Sequence, residues 1–319
     1  MSAVLAYLVP VLLLVGGAVL LTAGAEGFAE HVTGAASRLG VSVLALGLLL
    51  AGAEPEEAVT AMLASGRGHP ALAAGDAIGA NLVILTLTIG LAALLGRLPV
   101  TRQVMQYAVA AAVAGAVTVG LAWNGVVGRL EGVLLVLLYV GGVVWVWRRE
   151  RRPPMIGELS EMAEDEPHEP ERPERALAFV VLGVLGMVAG GYLAVRGAEG
   201  LVESLGVSDS VVGLTLLALA TSAEMLALVW AAHRRGVSEI VLAGAVGSVA
   251  YNATVSVGLA ALVSPLGLGQ HSPVTTVGIA TAALPLVLLL GRRTGWFPRP
   301  VGLLLVAGYL ATVGWLWVG

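Results

Sequence analysis

The stretch VSVLALGLLLAGAEPEEAVTAMLASGRGHPALAAGDAIG (Val41–Gly79) can be laid without gaps over DSVVGLTLLALATSAEMLALVWAAHRRGVSEIVLAGAVG (Asp209–Gly247), at a constant offset of 168 residues. Ser42, Val43, Leu46, Leu48 and Leu49 then match Ser210, Val211, Leu214, Leu216 and Leu217. Further on, Glu56 meets Glu224, Arg67-Gly68 meets Arg235-Gly236, and Gly79 meets Gly247. Both glutamates fall inside long apolar stretches, where an ionisable group is costly and is retained for an ion pathway or a proton relay. A chain that carries the same embedded carboxylate twice reads as two related halves around a polar centre.

Composition places those halves in a bilayer. Of the 319 residues, 58% are hydrophobic and 12% charged, and the mean hydropathy is +0.92, outside the range of a soluble domain. Cysteine is absent, so disulfides and thiolate metal sites are excluded. A formal net charge of -4 gives no electrostatic footprint for nucleic acid. The partners implied are the lipid bilayer and inorganic cations; the sequence leaves the oligomeric state open.

With roughly 20 apolar residues needed per helical span, ten spans are predicted, at 4–26, 40–64, 71–96, 103–123, 128–147, 177–202, 208–233, 238–263, 273–291 and 300–318. The fold class is therefore an all-α integral membrane protein. Residues 1–147 form a first five-helix repeat and 176–319 a second, joined by the polar linker 148–175, too rich in Pro and charge to fold alone. The opening span lacks the basic start of a signal peptide, and its tail GAEGF (Gly24–Phe28) recurs as GAEGL (Gly197–Leu201), so it is kept as a helix. Arginine placement puts both termini outside and the linker in the cytoplasm, in what reads as a prokaryotic plasma membrane. Five spans per half make the second repeat enter from the opposite side. Inverted repeats of that kind surround midplane sites that work by alternating access.

The chemistry sits in AGAEPEEAVTAML (Ala51–Leu63) and GDAIGAN (Gly75–Asn81) of the first half, and in ALATSAEMLAL (Ala218–Leu228) and AGAVGSVAYN (Ala243–Asn252) of the second. A multivalent cation needs hard oxygen ligands. The candidates are Glu54, Glu56, Glu57, Asp76, Asn81, Thr221, Ser222, Glu224, Ser248 and Asn252. Pro55 removes an amide donor just before Glu56. Gly75, Gly79, Gly244 and Gly247 serve close helix approach or local unwinding, and the residues alone do not choose between the two. Arg196 and Glu199, three apart, read as a structural pair within the sixth span.

These residues resemble the cation/calcium antiporter superfamily along nearly the whole chain, with two five-span repeats, a central polar loop, and paired motifs on the second and third spans of each half. Sodium/calcium-type members show GTSxPE followed by GNxxGSN. Here, counting back from Gly68 and Gly236, Glu57 and Met225 occupy that glutamate position, while Glu56 and Glu224 occupy the proline position. A glutamate one residue earlier is similar to the proton/calcium exchanger branch. Thr221-Ser222 resembles the TS of the sodium-coupled motif, yet Ala53 and Glu54 stand opposite it; Asp76 stands where GNxxGSN begins with asparagine.

The resemblance implies a secondary antiporter without cofactors that exports Ca2+ in exchange for H+, with Na+ as the alternative counter-ion. Glu56 and Glu224 are expected to hold the cation from opposite sides while the first and sixth spans slide past the site-lining helices. Three carboxylates within four residues cannot all stay ionised in a low-dielectric site, which favours proton coupling. An intramembrane enzyme is disfavoured, because Glu56-Glu57 lacks a following basic residue and no histidine lies at the apolar centre. A non-transporting sensor or scaffold is the remaining alternative.

Overall fold

The structure, a computed structural model, describes residues 3–39, 54–150, 173–235, 239–269 and 272–318. The start of the expected second span (40–53, with Ser42, Val43, Leu46, Leu48 and Leu49), most of the expected linker (151–172) and Gly236 lie outside the described residues. The first half contributes α1 (Ala3–Leu39), α2 (Pro55–Gly66), α3 (Pro70–Leu95), α4 (Arg102–Leu121) and α5 (Arg129–Glu150). The second contributes α6 (Pro173–Leu205), α7 (Asp209–Thr221), α8 (Ala223–Arg235), α9 (239–263), α10 (Pro273–Arg293) and α11 (Arg299–Val318). Helix dominates because a backbone in lipid must satisfy its donors and acceptors within its own segment. Thr101, Ser208 and Ser272 start α4, α7 and α10 by accepting from the amides of Val104, Val211 and Thr275.

Eight described helices are long and apolar enough to cross a membrane, and α7 with α8, bent by 41° at their junction, makes a ninth. The expected count of ten is not reached among the described residues, because the start of the second span lies outside them. The two halves share local irregularities at matched positions. Helices α2 and α8 start just after Glu54 and Ser222, positions related by the repeat offset, and π-helical turns fall at the closely matched Val83–Thr88 and Asn252–Ser256, with a third at Gly213–Leu217. Short loops follow the same rule. The strand β1 (Val126–Val127), after α4, pairs antiparallel with β2 (Leu266–Gly267), after α9. At the other end of α4, Pro99 bridges Trp296. The offset carries Pro99 onto Gly267 and Val126 close to Trp296, so each pairing is the image of the other.

The longest contact is between α1 and α6, which run antiparallel because rising positions on one meet falling positions on the other. Glycines recur at seven-residue intervals along the seam, at Gly17 and Gly24 on α1 and at Gly183, Gly190 and Gly197 on α6. A Cβ at Gly17 would fall 2.4 Å from the Ala194 amide nitrogen, and one at Gly197 2.4 Å from that of Leu14. Backbone therefore lies directly on backbone. In lipid such van der Waals contact replaces the hydrophobic drive that brings helices together in water.

Beyond this seam, Glu199 of α6 accepts from Arg67 Nε and Nη2 at 2.6 and 2.8 Å, and the guanidinium also lies over the Tyr192 ring. His69 Nδ1 is 2.9 Å from Asp209 Oδ2. The pairing of Glu199 with Arg196 expected from their spacing is corrected here. The planar fork of Arg67 takes both carboxylate oxygens at once, while Arg196 is exposed. Gly190→Val is expected to destabilise the purified protein by about 1–3 kcal/mol through overpacking, since its Cβ would sit 2.5 Å from the Leu21 nitrogen. Gly16→Val, on an open face of α1, should leave the melting temperature unchanged, and equal losses in both variants would count against this seam.

Candidate functional site

Two helix starts build the site. Glu54 precedes α2 in a non-helical conformation, φ -113° and ψ 81°, and Pro55 follows as the first helical residue. Its missing amide costs nothing there, because the first-turn donors lack intrahelical acceptors. The second half has no proline at this point. Thr221 Oγ1 instead reaches the carbonyls of Leu217 and Ala218, and the chain turns at Ser222 before α8 begins. Both starts lie against α3 and α9, and π turns occur in α3, α7 and α9. Such turns leave backbone groups partly released and recur at functional sites.

The side chains around these helix starts form one buried network. Asn252 Nδ2 donates to Glu54 Oε2 at 3.1 Å, with Ser248 also hydrogen-bonding that carboxylate. Ser222 Oγ donates to Glu57 Oε1 at 3.2 Å, and Thr221 Oγ1 to Asp76 Oδ1 at 3.1 Å. Glu57 lies within electrostatic reach of both Asp76 and Glu54. Asn81 Nδ2 donates to the Val249 carbonyl, its own repeat counterpart 168 residues on, which places this contact close to the axis relating the halves. Glu54, Glu57, Asp76, Asn81, Thr221, Ser222, Ser248 and Asn252 are all buried.

Three acceptor oxygens in this region, Glu57 Oε2, Asp76 Oδ2 and Asn81 Oδ1, are buried without a hydrogen-bond donor. Acceptors left over around three carboxylates suit a positively charged guest. Every carboxylate of the traced network comes from the first half, and every hydroxyl donor from the second. Residues three apart on a helix share a face, which sets Glu54 and Glu57 in one register and Glu56 in another. It too is buried, and its carbonyl accepts from Thr60 Oγ1. Glu224, in the first turn of α8, is half-buried.

Gly75 and Gly79 serve packing. A Cβ at Gly79 would lie 2.7 Å from Leu214 Cα, and one at Gly213 2.7 Å from the Leu72 carbonyl, so α3 and α7 touch along bare backbone. One neighbour of the site escaped the sequence reading. Tyr139 of α5 packs edge-on against Tyr251 at 5.4 Å between ring centroids and lies within electrostatic reach of Glu54. Nothing in its local sequence separates it from an interfacial tyrosine.

Residues 9–148 and 175–318 match the family model described as sodium/calcium exchanger protein. The chain belongs to that family. Family membership makes it a cation/calcium antiporter rather than an enzyme, an integral membrane protein of the superfamily its motifs resemble. An uncharacterized membrane protein of Methanocaldococcus jannaschii is 26% identical, covering 98% of this chain and 97% of its own length. The putative antiporter CaxA of Alkalimonas amylolytica is 27% identical over 92% of each chain. The solved structure of the sodium-calcium exchanger NCX_Mj superposes with a TM-score of 0.62 at 22% identity, covering 97% of this chain and 98% of that one. That likeness carries the fold.

Within the family register, Glu57 stands at the motif glutamate and is where the network converges, while its counterpart Met225 is buried and uncharged. Asp76→Asn keeps an acceptor for Thr221 Oγ1 and removes one of the clustered charges. It is expected to raise the melting temperature in cation-free buffer by roughly 2–4 °C, the shift of about 1 kcal/mol in a large domain. A lower melting temperature would show that the Asp76 charge stabilises the empty fold.

Proposed function

We propose that this exchanger moves Ca2+ out of the cell against H+, through a midplane site centred on Glu57, Glu54 and Asp76 and completed by Thr221, Ser222, Ser248, Asn252 and Asn81. The observation that carries the reading is the buried cluster of Glu54, Glu57 and Asp76, in which Glu57 Oε2 and Asp76 Oδ2 have no hydrogen-bond donor. Two carboxylates neutralise a divalent ion. A third leaves surplus negative charge that a proton relieves, which couples occupancy to pH. Glu56 and Glu224 flank the site at the helix starts, where the positive ends of the helix dipoles favour anions. This moves the weight of the sequence expectation from the Glu56–Glu224 pair to the Glu54–Glu57 face.

The architecture proposed with it is ten spans in two inverted repeats, 1–147 and 176–319, with the linker 148–175 cytoplasmic and both termini outside. Support comes from the matched helix starts and π turns, and from loop pairings that exchange ends of the molecule under the repeat offset. Sodium as counter-ion is the second reading. It is favoured by the Thr221 and Ser222 hydroxyls, which line the site as in the sodium-coupled motif, and by a relative from Methanosarcina acetivorans named as a sodium/calcium exchanger, 33% identical over 41% of this chain.

Purified protein in liposomes separates the two. A pH gradient alone, in sodium-free buffer, is expected to drive Ca2+ movement; movement only under a sodium gradient would replace the proton reading with the sodium one. Glu57→Gln should lower flux at least about a hundredfold, the loss of roughly 3 kcal/mol expected when a charged ligand to a desolvated ion is neutralised. It should also abolish the Ca2+-induced rise in melting temperature expected of the parent. Retention of both would remove Glu57 from the site.

Since the native chain has no cysteine, single cysteines report sidedness directly. One at the exposed Ser208 is expected to react with impermeant thiol reagents only from outside, and those at Ser160 and Ser238 only from the cytoplasm. Reaction of all three from one side would exclude the inverted arrangement.

A further inference from the structure

Outside the cation site, two concave features lie together along α4 and α5. One is a cavity of about 290 Å³, with a floor of Gly247, Ala250 and Thr254 from α9 and walls that include Tyr139, Gly142 and Trp145. Its lining is almost wholly apolar. A second, of about 450 Å³, is lined by Arg102, Gln106 and Leu289. The two share Tyr107, Ala110, Trp145 and Val146, so they form one continuous groove, apolar at one end and basic at the other.

The basic end belongs to a basic rim. The Pro99–Trp296 bridge brings the α3–α4 and α10–α11 loops to the same end of the molecule as the close of α5. Arg97, Arg102, Arg148, Arg292, Arg293 and Arg299 all lie there. Trp145 is 59% exposed beside Arg102, the position an indole takes at a membrane interface. Gln103 Nε2 donates to the Tyr107 hydroxyl at 2.8 Å, which occupies the nearby polar groups and leaves the Arg102 charge for a ligand.

We propose that this groove is a specific site for one anionic phospholipid, with an acyl chain in the apolar cavity and its phosphate at Arg102. Two features set it apart from the general lipid-facing surface. It is a pocket floored by α9 rather than an open helix face, and its polar end carries a cation at headgroup depth, where each such charge favours anionic lipid by about 1 kcal/mol. Its floor residues lie on α9 beside Ser248 and Asn252, so the bound chain rests on the back of a helix that lines the cation site.

The test uses the full chain in detergent micelles, titrated with phosphatidylglycerol or phosphatidylcholine brominated on the acyl chain. The Trp145 signal is isolated as the difference from Trp145→Phe. Brominated phosphatidylglycerol is expected to quench that signal at about fivefold lower lipid fraction than phosphatidylcholine, the ratio that one interfacial charge supports. Arg102→Gln should erase the difference. Gly142→Leu, whose Cβ meets nothing within 4 Å, should fill the groove and abolish quenching by both lipids while leaving the melting temperature unchanged. Equal quenching by the two lipids in the parent, or a preference that survives Arg102→Gln, overturns the proposal. So does full quenching in Gly142→Leu.

Discussion

The burial of Glu54, Glu57 and Asp76 beside one another is the constraint on which the rest of the structure depends. Charge at bilayer depth is tolerated only where protein surrounds it and supplies partners. The fold meets that demand at two helix starts. Helix α2 begins after Glu54 and α8 after the turn at Ser222, and the second half brings Thr221, Ser222 and Asn252 to the carboxylates as donors. Close approach of α3 to α7 makes this possible, because Gly75, Gly79 and Gly213 let backbone meet backbone. A methyl group at any of the three would push the donors away from the acids they serve.

The two halves share helix starts and π turns near the repeat offset, but not their chemistry: Glu54 corresponds to Ser222, Glu57 to Met225 and Asp76 to Gly244. Acids on one side face hydroxyls and an amide on the other. Asymmetry of this kind lets one half carry the negative charge while the other orients it, and it avoids setting like charges directly opposite one another across the axis. On the proposed reading, the hydroxyls release the carboxylates as a cation arrives and take them back as it leaves.

The periphery obeys different rules. Along the α1–α6 seam the glycines carry no chemistry and only allow close packing over a long antiparallel contact. The ion pair of Arg67 with Glu199, and the contact of His69 with Asp209, tie one end of α6 to the start of α3 and of α7. A smooth seam with polar ties at its end joins the peripheral pair to the site helices without burying further charge among them.

Much of this was legible in the sequence. Apolar runs and the matched blocks at Val41–Gly79 and Asp209–Gly247 determined a helical membrane protein in two related halves, because lipid leaves the backbone few alternatives. The inventory of oxygen-bearing residues was legible too, since polar groups within apolar runs stand out. What the sequence pointed to most strongly, the repeated pair Glu56 and Glu224, is a statement about ancestry of position. Which carboxylates meet is decided by helix phase and by the partner surface. Glu54 and Glu57 share a face of α2, and Asp76 arrives from α3, a grouping that only the packing of α2, α3, α7 and α9 brings about. The same holds for Glu199, which takes Arg67 from a distant turn rather than its neighbour Arg196, and for Tyr139, whose place beside Glu54 depends on where α5 lies against α9.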